Sequence, residues 1–154
     1  MTAAIVAGTL AVAALNAIAA TLGGWLWCLG DPNLRGARTF WLLLRVGQGS
    51  ALTLALAVGS LAAAGNYPRD HLFYLYALLP LAVAFVGEQL RVSSAQTVLD
   101  QRGLAGAEAV GRLPEREQRG VVAQIVRREI GVMATSALVV VFLALRAAST
   151  AHGF

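Results

Sequence analysis

HLFYLYALLPLAVAFVGEQLRVSSAQTVL, residues 71–99, is the stretch that decides the fold of this chain. Its first seventeen residues, His71 to Gly87, carry no formal charge. A helix of this length approaches the ~20 apolar residues that cross the ~30 Å hydrocarbon core of a bilayer. Glu88 and Arg91 then bring opposite charges onto one helical face, three positions apart. The stretch therefore predicts a membrane-spanning helix with a polar exit.

Three further apolar blocks accompany this one, at about residues 3–29, 40–64 and 130–145. Hydrophobic residues make up 58% of the chain and charged residues only 13%, whereas a soluble domain has ~25% charged residues. We therefore expect an all-α, polytopic integral membrane protein: a single domain over residues 1–154 that forms a bundle of four transmembrane helices. The predicted helices span about residues 3–29, 39–64, 71–100 and 114–147.

The segment between the last two spans predicts a cytoplasmic helical hairpin at about residues 93–129. The third helix stays helical in pattern but turns polar after Glu88, so it is longer than the hydrocarbon core and protrudes. Gly103 and Gly106 break it, and Pro114 suits the first position of a new helix. Val121, Val122, Ile125 and Val126 are predicted to share one side of that helix.

The basic residues are all arginines, twelve against eight acidic residues, and they give a net charge of +4. In a soluble protein this excess would suggest nucleic acid, but here it indicates membrane orientation, and no nucleic-acid partner is expected. Only Arg69 and Arg146 fall on one side of the predicted bundle. The ten on the other side are Arg35, Arg38, Arg45, Arg91, Arg102, Arg112, Arg116, Arg119, Arg127 and Arg128. The positive-inside rule then places both termini outside the cell (inner or plasma) membrane and loops 1 and 3 in the cytoplasm, facing anionic lipid.

Small residues predict where helices pack. The second span carries five of them at a strict spacing of four: Gly47, Ala51, Ala55, Gly59 and Ala63. Because apolar burial drives helix association only weakly in lipid, such a ridge favours close contact with a helix of the same chain or of a symmetry mate. In the first span, Asn16 lies near the membrane centre, and we expect its amide to form an interhelical hydrogen bond rather than to contact a ligand.

Aromatic residues predict two belts at the membrane interfaces. One consists of Trp25, Trp27, Phe40 and Trp41; the other consists of Tyr67, His71, Phe73, Tyr74 and Tyr76. Asp70 is predicted to cap the third helix.

The candidate functional residues gather at one depth of the predicted bundle: Arg45, Gln48, Glu88, Gln89, Arg91 and Glu129. One interpretation is structural, with Glu88 neutralising Arg45 or Arg91 and fixing the helix packing. The other is a polar pocket in which Arg45 and Arg91 bind an anionic head group or small anion, or in which a carboxylate carries protons or cations.

Neither a catalytic residue set, a metal site nor a cofactor motif is predicted. Cys28 is the single cysteine; of the two histidines, His71 is expected at the wet interface and His152 lies in the C-terminal tail. Three functions stay open. The first is a non-enzymatic subunit or scaffold that oligomerises through small-residue faces; the second is a small oligomeric channel or transporter; the third is a membrane-embedded enzyme that acts on a lipid or hydrophobic substrate.

Overall fold

The fold was analysed in a computed structural model that describes residues 2–30 and 34–151, with side chains throughout except at residues 34 and 35. Of the described residues, 88% are helical and none lies in a strand, which confirms the all-α class. The helices are α1 (Thr2–Leu29), α2 (Leu34–Ala63), α3 (Leu72–Gln101), α4 (Ala107–Gly111) and α5 (Glu115–Thr150). His152 lies outside the described residues.

Helices α1, α2, α3 and α5 are each long and apolar enough to cross a membrane, as in a multi-pass membrane protein. Their boundaries lie within three residues of the prediction, except that α2 begins at Leu34 instead of about residue 39. The helix extends beyond the apolar block because arginine and alanine, which precede Phe40, are strong helix formers. Helices α3 and α5, with 30 and 36 residues, are about 45 and 54 Å long.

Helix α5 packs along both α1 and α3, and α2 packs along α1 and more sparsely along α3. Successive long helices run in opposite directions, so the C-terminal ends of α1 and α3 lie beside the N-terminal ends of α2 and α5. We call this the arginine-rich end, because it holds Arg45, Arg91, Arg127 and Arg128. Arg146 lies at the opposite end, where its guanidinium is 5.7 Å from the ring centre of Tyr76.

Three apolar clusters fill the interior from one end to the other. The cluster nearest the arginine-rich end contains Leu26, Phe40 and Met133, and the one at the opposite end is built around Phe73. Both phenylalanines are completely buried, so their assignment to interfacial belts is wrong. A phenylalanine ring has no polar group that needs water.

Glycines allow α5 and its neighbours to approach closely. A Cβ atom at Gly23 of α1 would lie 2.5 Å from Cε2 of Phe40 in α2 and 2.7 Å from Cβ of Ala134 in α5. A Cβ at Gly131 of α5 would lie 2.8 Å from the Trp27 ring, and one at Gly87 of α3 would lie 2.7 Å from Ser136 Oγ. The contacts of α5 with α1 and with α3 thus both depend on glycines that lack a side chain.

The small-residue ridge of α2 is only partly used inside the chain. Gly47 lies against the Asn16 side chain of α1, and Ala51 and Ala55 are buried. Gly59 and Ala63, in contrast, are exposed. A spacing of four residues rotates by about 40° at each step around a helix with 3.6 residues per turn, so the far end of the ridge turns away from α1.

Backbone geometry closes the helices where the sequence predicts. Gly103 takes a positive φ of 65°, and the N–H groups of Gly103 and Leu104 donate to the carbonyls of Asp100 and Leu99. This pair of bonds is a Schellman motif, which ends α3. The N-cap residue of α3 is His71 and not the predicted Asp70, but the Asp70 carboxylate, one position earlier, accepts a 2.9 Å hydrogen bond from the backbone N–H of Leu72.

Beyond this turn, the C-terminal part of α3 lies against the N-terminal part of α5. Val98 and Val121 are completely buried between them, and Arg102 donates two hydrogen bonds, of 2.8 and 3.1 Å, to Oε1 of Gln124. Val122, which we predicted on the apolar side, is 52% exposed, because it lies 100° around the helix from Val121.

We expect Gly23→Ala to lower the free energy of unfolding by about 1–3 kcal/mol, the usual cost of overpacking a close-packed interior. Phe40 is buried and has no room to move aside. Gly59→Ala is the matched control, because its Cβ would have no neighbour within 4 Å. The thermal stability of both variants is compared as the fraction of protein that stays monodisperse after stepwise heating in the same detergent. Equal melting of the two variants would contradict the packing.

Candidate functional site

Glu88 of α3 is the centre of a charged cluster at the arginine-rich end. Its Oε1 accepts a 2.7 Å hydrogen bond from Nη1 of Arg45 in α2, and its Oε2 accepts a 2.9 Å bond from Nε of Arg91, one turn further along α3. The Glu88 side chain is 26% exposed. Both carboxylate oxygens are therefore engaged by guanidinium groups from two helices.

The two arginines extend the cluster in opposite directions. Nη1 of Arg45 also donates a 2.7 Å hydrogen bond to Oε1 of Gln48, three residues along α2. Nη1 of Arg91 lies 3.8 Å from Oε2 of Glu129 in α5. The cluster consequently joins α2, α3 and α5, and it brings together five of the predicted residues.

Trp41 is a part of this site that the sequence interpretation missed. The Arg91 guanidinium lies 5.4 Å from the centre of its ring, a cation–π distance. The sequence predicts Trp41 only as part of an interfacial belt. The available signal was its spacing from Arg45, since residues four apart share one face of a helix.

Asn16 does not belong to the charged cluster. It is buried in α1, where its Nδ2 donates a 2.9 Å hydrogen bond to the carbonyl of Val12 in the same helix. The predicted interhelical hydrogen bond is thus replaced by an intrahelical bond, and the contact of Asn16 with Gly47 of α2 is one of packing. Gln89 is exposed and points away from the cluster, because it follows Glu88 by 100° around α3.

The cluster contains two carboxylates and two guanidinium groups, so its formal charges cancel. This balance matters near a membrane, where an unpaired charge is expensive. The Glu88 carboxylate already accepts two charge-assisted hydrogen bonds, so it is a poor candidate for a free base or a cation ligand. Within residues 2–30 and 34–151, no group of three His, Cys, Asp or Glu side chains is placed to hold a metal ion.

Beside the cluster, a shallow groove of about 300 Å³ runs between α2 and α3. Gln48 and Glu88 border it, and the rest of its lining is apolar, including Leu52, Leu81 and Phe85. The polar layer therefore reaches the outer surface of the helices, where Arg45 is 54% exposed. This arrangement supports the structural interpretation of the pairing, with Arg45 the most exposed of the four charged side chains.

Comparison with known proteins gave no relative. No protein-family model, curated protein or solved structure matches the chain. The functional interpretation therefore depends on the geometry of the described residues.

We expect Glu88→Gln to lower the free energy of unfolding by about 1 kcal/mol, because two partly exposed ion pairs are lost together. This corresponds to a fall of about 2–4 °C in melting temperature for a chain of this size. Glu115→Gln is the matched control, since Glu115 pairs only with Arg119, four residues away on an exposed helical face. Thermal unfolding in low-salt detergent buffer measures both. An unchanged melting temperature for Glu88→Gln would refute a stabilising role.

Proposed function

We propose that this protein is a non-enzymatic, multi-pass subunit or scaffold of the cell (inner or plasma) membrane. Its arginine-rich end faces the cytoplasm and contacts anionic lipid. The observation that carries this proposal is the closed cluster of Arg45, Glu88, Arg91 and Glu129. Glu88 is hydrogen-bonded to both arginines, and Arg91 lies 3.8 Å from Glu129 of α5, so opposite charges connect three helices, which suits a role in fixing the helices at the boundary of the hydrocarbon.

The distribution of arginines supports the orientation. Helix ends at the arginine-rich end carry most of these residues, and the positive-inside rule depends on the count of Lys and Arg near the membrane. Both termini then lie outside, and the loop between α1 and α2 and the α3–α5 hairpin lie in the cytoplasm. Helices longer than the ~30 Å hydrocarbon core, such as α3 and α5, leave room for this hairpin to project.

Pairing within the hairpin indicates which arginines contact lipid. Arg112 and Arg119 form ion pairs with Glu108 and Glu115, each four residues away, so their charges are offset locally. Arg127 and Arg128 lie nearer the apolar part of α5. An arginine near the surface of an anionic membrane contributes about 1 kcal/mol to its attraction. We therefore assign the lipid contact chiefly to Arg128, because Arg127 is hydrogen-bonded to the Trp27 carbonyl of α1.

Homo-oligomerisation stays a prediction. Within the chain, α1 already covers Gly47 of the small-residue ridge, and Ala51 and Ala55 are buried. The exposed Gly59 and Ala63 are the part of the ridge that is left to meet a second copy or another subunit.

The orientation is testable with single cysteines in a Cys28→Ser background. We expect Glu108→Cys, in the exposed α4, to react with a membrane-impermeant maleimide only after the cells are permeabilised. Asn66→Cys, in the turn after α2, should react in intact cells. Protein immunoblotting after a mass-tagged maleimide measures both. The reverse labelling pattern would overturn the proposed topology.

A second experiment separates this proposal from transport. We expect wild-type protein in liposomes to give no proton or potassium flux above that of protein-free liposomes, because the Glu88 carboxylate is held by two arginines. Glu88→Gln should behave in the same way. Flux through the wild type that disappears in Glu88→Gln would favour a channel or transporter instead. Fluorescent proton- and potassium-sensitive dyes inside the liposomes give the readout.

A further inference from the structure

A groove of about 660 Å³ lies between α1 and α5, with Leu90 of α3 at its edge, and no residue of the charged cluster lines it. Its volume falls within the ~300–1,000 Å³ range of small-molecule sites. Ala17, Ala20 and Gly24 line it from α1, and Val132, Leu138 and Val141 line it from α5. The walls are thus mainly apolar.

The groove exists because α1 has small side chains on the face that borders it, whereas α1 and α5 are in contact along a different face of α1. A Cβ atom at Gly23 would collide with Ala134, but one at the adjacent Gly24 would meet nothing within 4 Å. An empty groove in a membrane forfeits dispersion contacts along its whole lining. Lipid chains are the apolar material at hand to fill it.

The arginine-rich end of the groove is polar, and packing and hydrogen bonding hold its side chains in place. Trp27 borders it, with its ring packed against Gly131. Nε of Arg127 donates a 3.0 Å hydrogen bond to the Trp27 carbonyl, and the Arg127 guanidinium lies 5.9 Å from the centre of the Trp27 ring. Arg127 therefore positions the tryptophan and caps the C-terminal carbonyls of α1.

Arg128 is the second cation at this end, and it lines the groove directly. Its side chain is exposed, and no hydrogen bond or ion pair joins it to another residue of the described ranges. A guanidinium group offers planar paired donors that match a phosphate. The charge of Arg128 is available to a ligand, whereas that of Arg127 is directed at α1.

The dimensions suit an amphiphile. From Arg128 to Val141 the groove follows α5 for about 20 Å, which exceeds the ~15 Å half-thickness of the hydrocarbon core. We propose that it binds one anionic phospholipid of the cytoplasmic leaflet, with the phosphate on Arg128 and an acyl chain between α1 and α5. The leaflet assignment rests on the proposed topology; the binding site itself does not.

Charge complementarity favours a lipid over a second copy of the chain. Two copies related by a two-fold axis along the membrane normal would present the same patch to each other. Their Arg128 side chains would then meet at one depth, in a protein that already carries a net charge of +4. A phosphate group instead supplies the missing negative charge.

Native mass spectrometry of the full-length protein in a neutral detergent tests the site with phosphatidylglycerol and phosphatidylcholine of identical chains. We expect one phosphatidylglycerol to bind more tightly than phosphatidylcholine. Arg128→Gln should weaken phosphatidylglycerol binding about fivefold and phosphatidylcholine binding by less, because the choline group already offsets the charge of the phosphate. Arg119→Gln, which removes an equal charge far from the groove, should change neither.

Filling the groove provides an independent arm. Gly24→Leu places a side chain in open space within the groove and should weaken the binding of both lipids, whereas Gly59→Leu, in open space on α2, should not. Ala20→Leu serves as a second groove variant if Gly24→Leu fails to elute as a monodisperse peak.

Three results would overturn the proposal: equal wild-type affinity for the two lipids, wild-type affinity in the groove variants, or a dimer that the groove variants dissociate. Because the assay uses detergent, its outcome does not depend on orientation. Reversed cysteine labelling together with intact lipid binding would reject the proposed topology alone. The expected labelling together with absent lipid binding would reject only the lipid site.

Discussion

Close approach of helices at glycine is the constraint on which this structure depends. Hydrocarbon tails are as apolar as leucine, so helices in lipid gain stability mainly from close packing. Gly23 admits Phe40 and Ala134, Gly131 admits Trp27, and Gly87 admits Ser136. These contacts place α5 against both α1 and α3. Helix α2 is held more loosely to α3, and that is where the Arg45–Glu88 ion pair adds a polar connection.

The arginines fall into groups with different physical roles. Those within the charged cluster are neutralised by carboxylates of the same or a neighbouring helix, and Arg112 and Arg119 are offset by glutamates four residues away. Arg127 binds a helix terminus, and Arg128 is left with its charge unpaired among the described residues. A net charge alone would treat these groups as one basic surface. Their pairing distinguishes stabilising charges from charges that are available to an anion, and among the latter Arg128 lines the groove.

Much of the fold and part of the site could be predicted from the sequence. Apolar runs of membrane length identify the helices, and the three-residue spacing of Glu88 and Arg91 identifies their ion pair. The partners of a residue on other helices depend on rotation and depth, which local spacing does not contain. For this reason Trp41 was missed as the partner of Arg91, Phe40 and Phe73 were placed at interfaces, and the Asn16 amide was expected to bond across helices. The ridge from Gly47 to Ala63 was similarly read as one face, although its spacing of four turns steadily around α2.

Adjacent glycines show why the groove was beyond sequence analysis. Gly23 and Gly24 have the same chemistry, and the sequence alone does not show which of them lies at a helix contact. The helix rotates by 100° between the two glycines. Gly23 therefore faces Phe40 and Ala134 and closes the packing, while Gly24 faces the space beside α5. The missing side chain of Gly23 allows a close helix contact, whereas that of Gly24 leaves a cavity. Which of the two results depends on where α5 lies relative to each glycine.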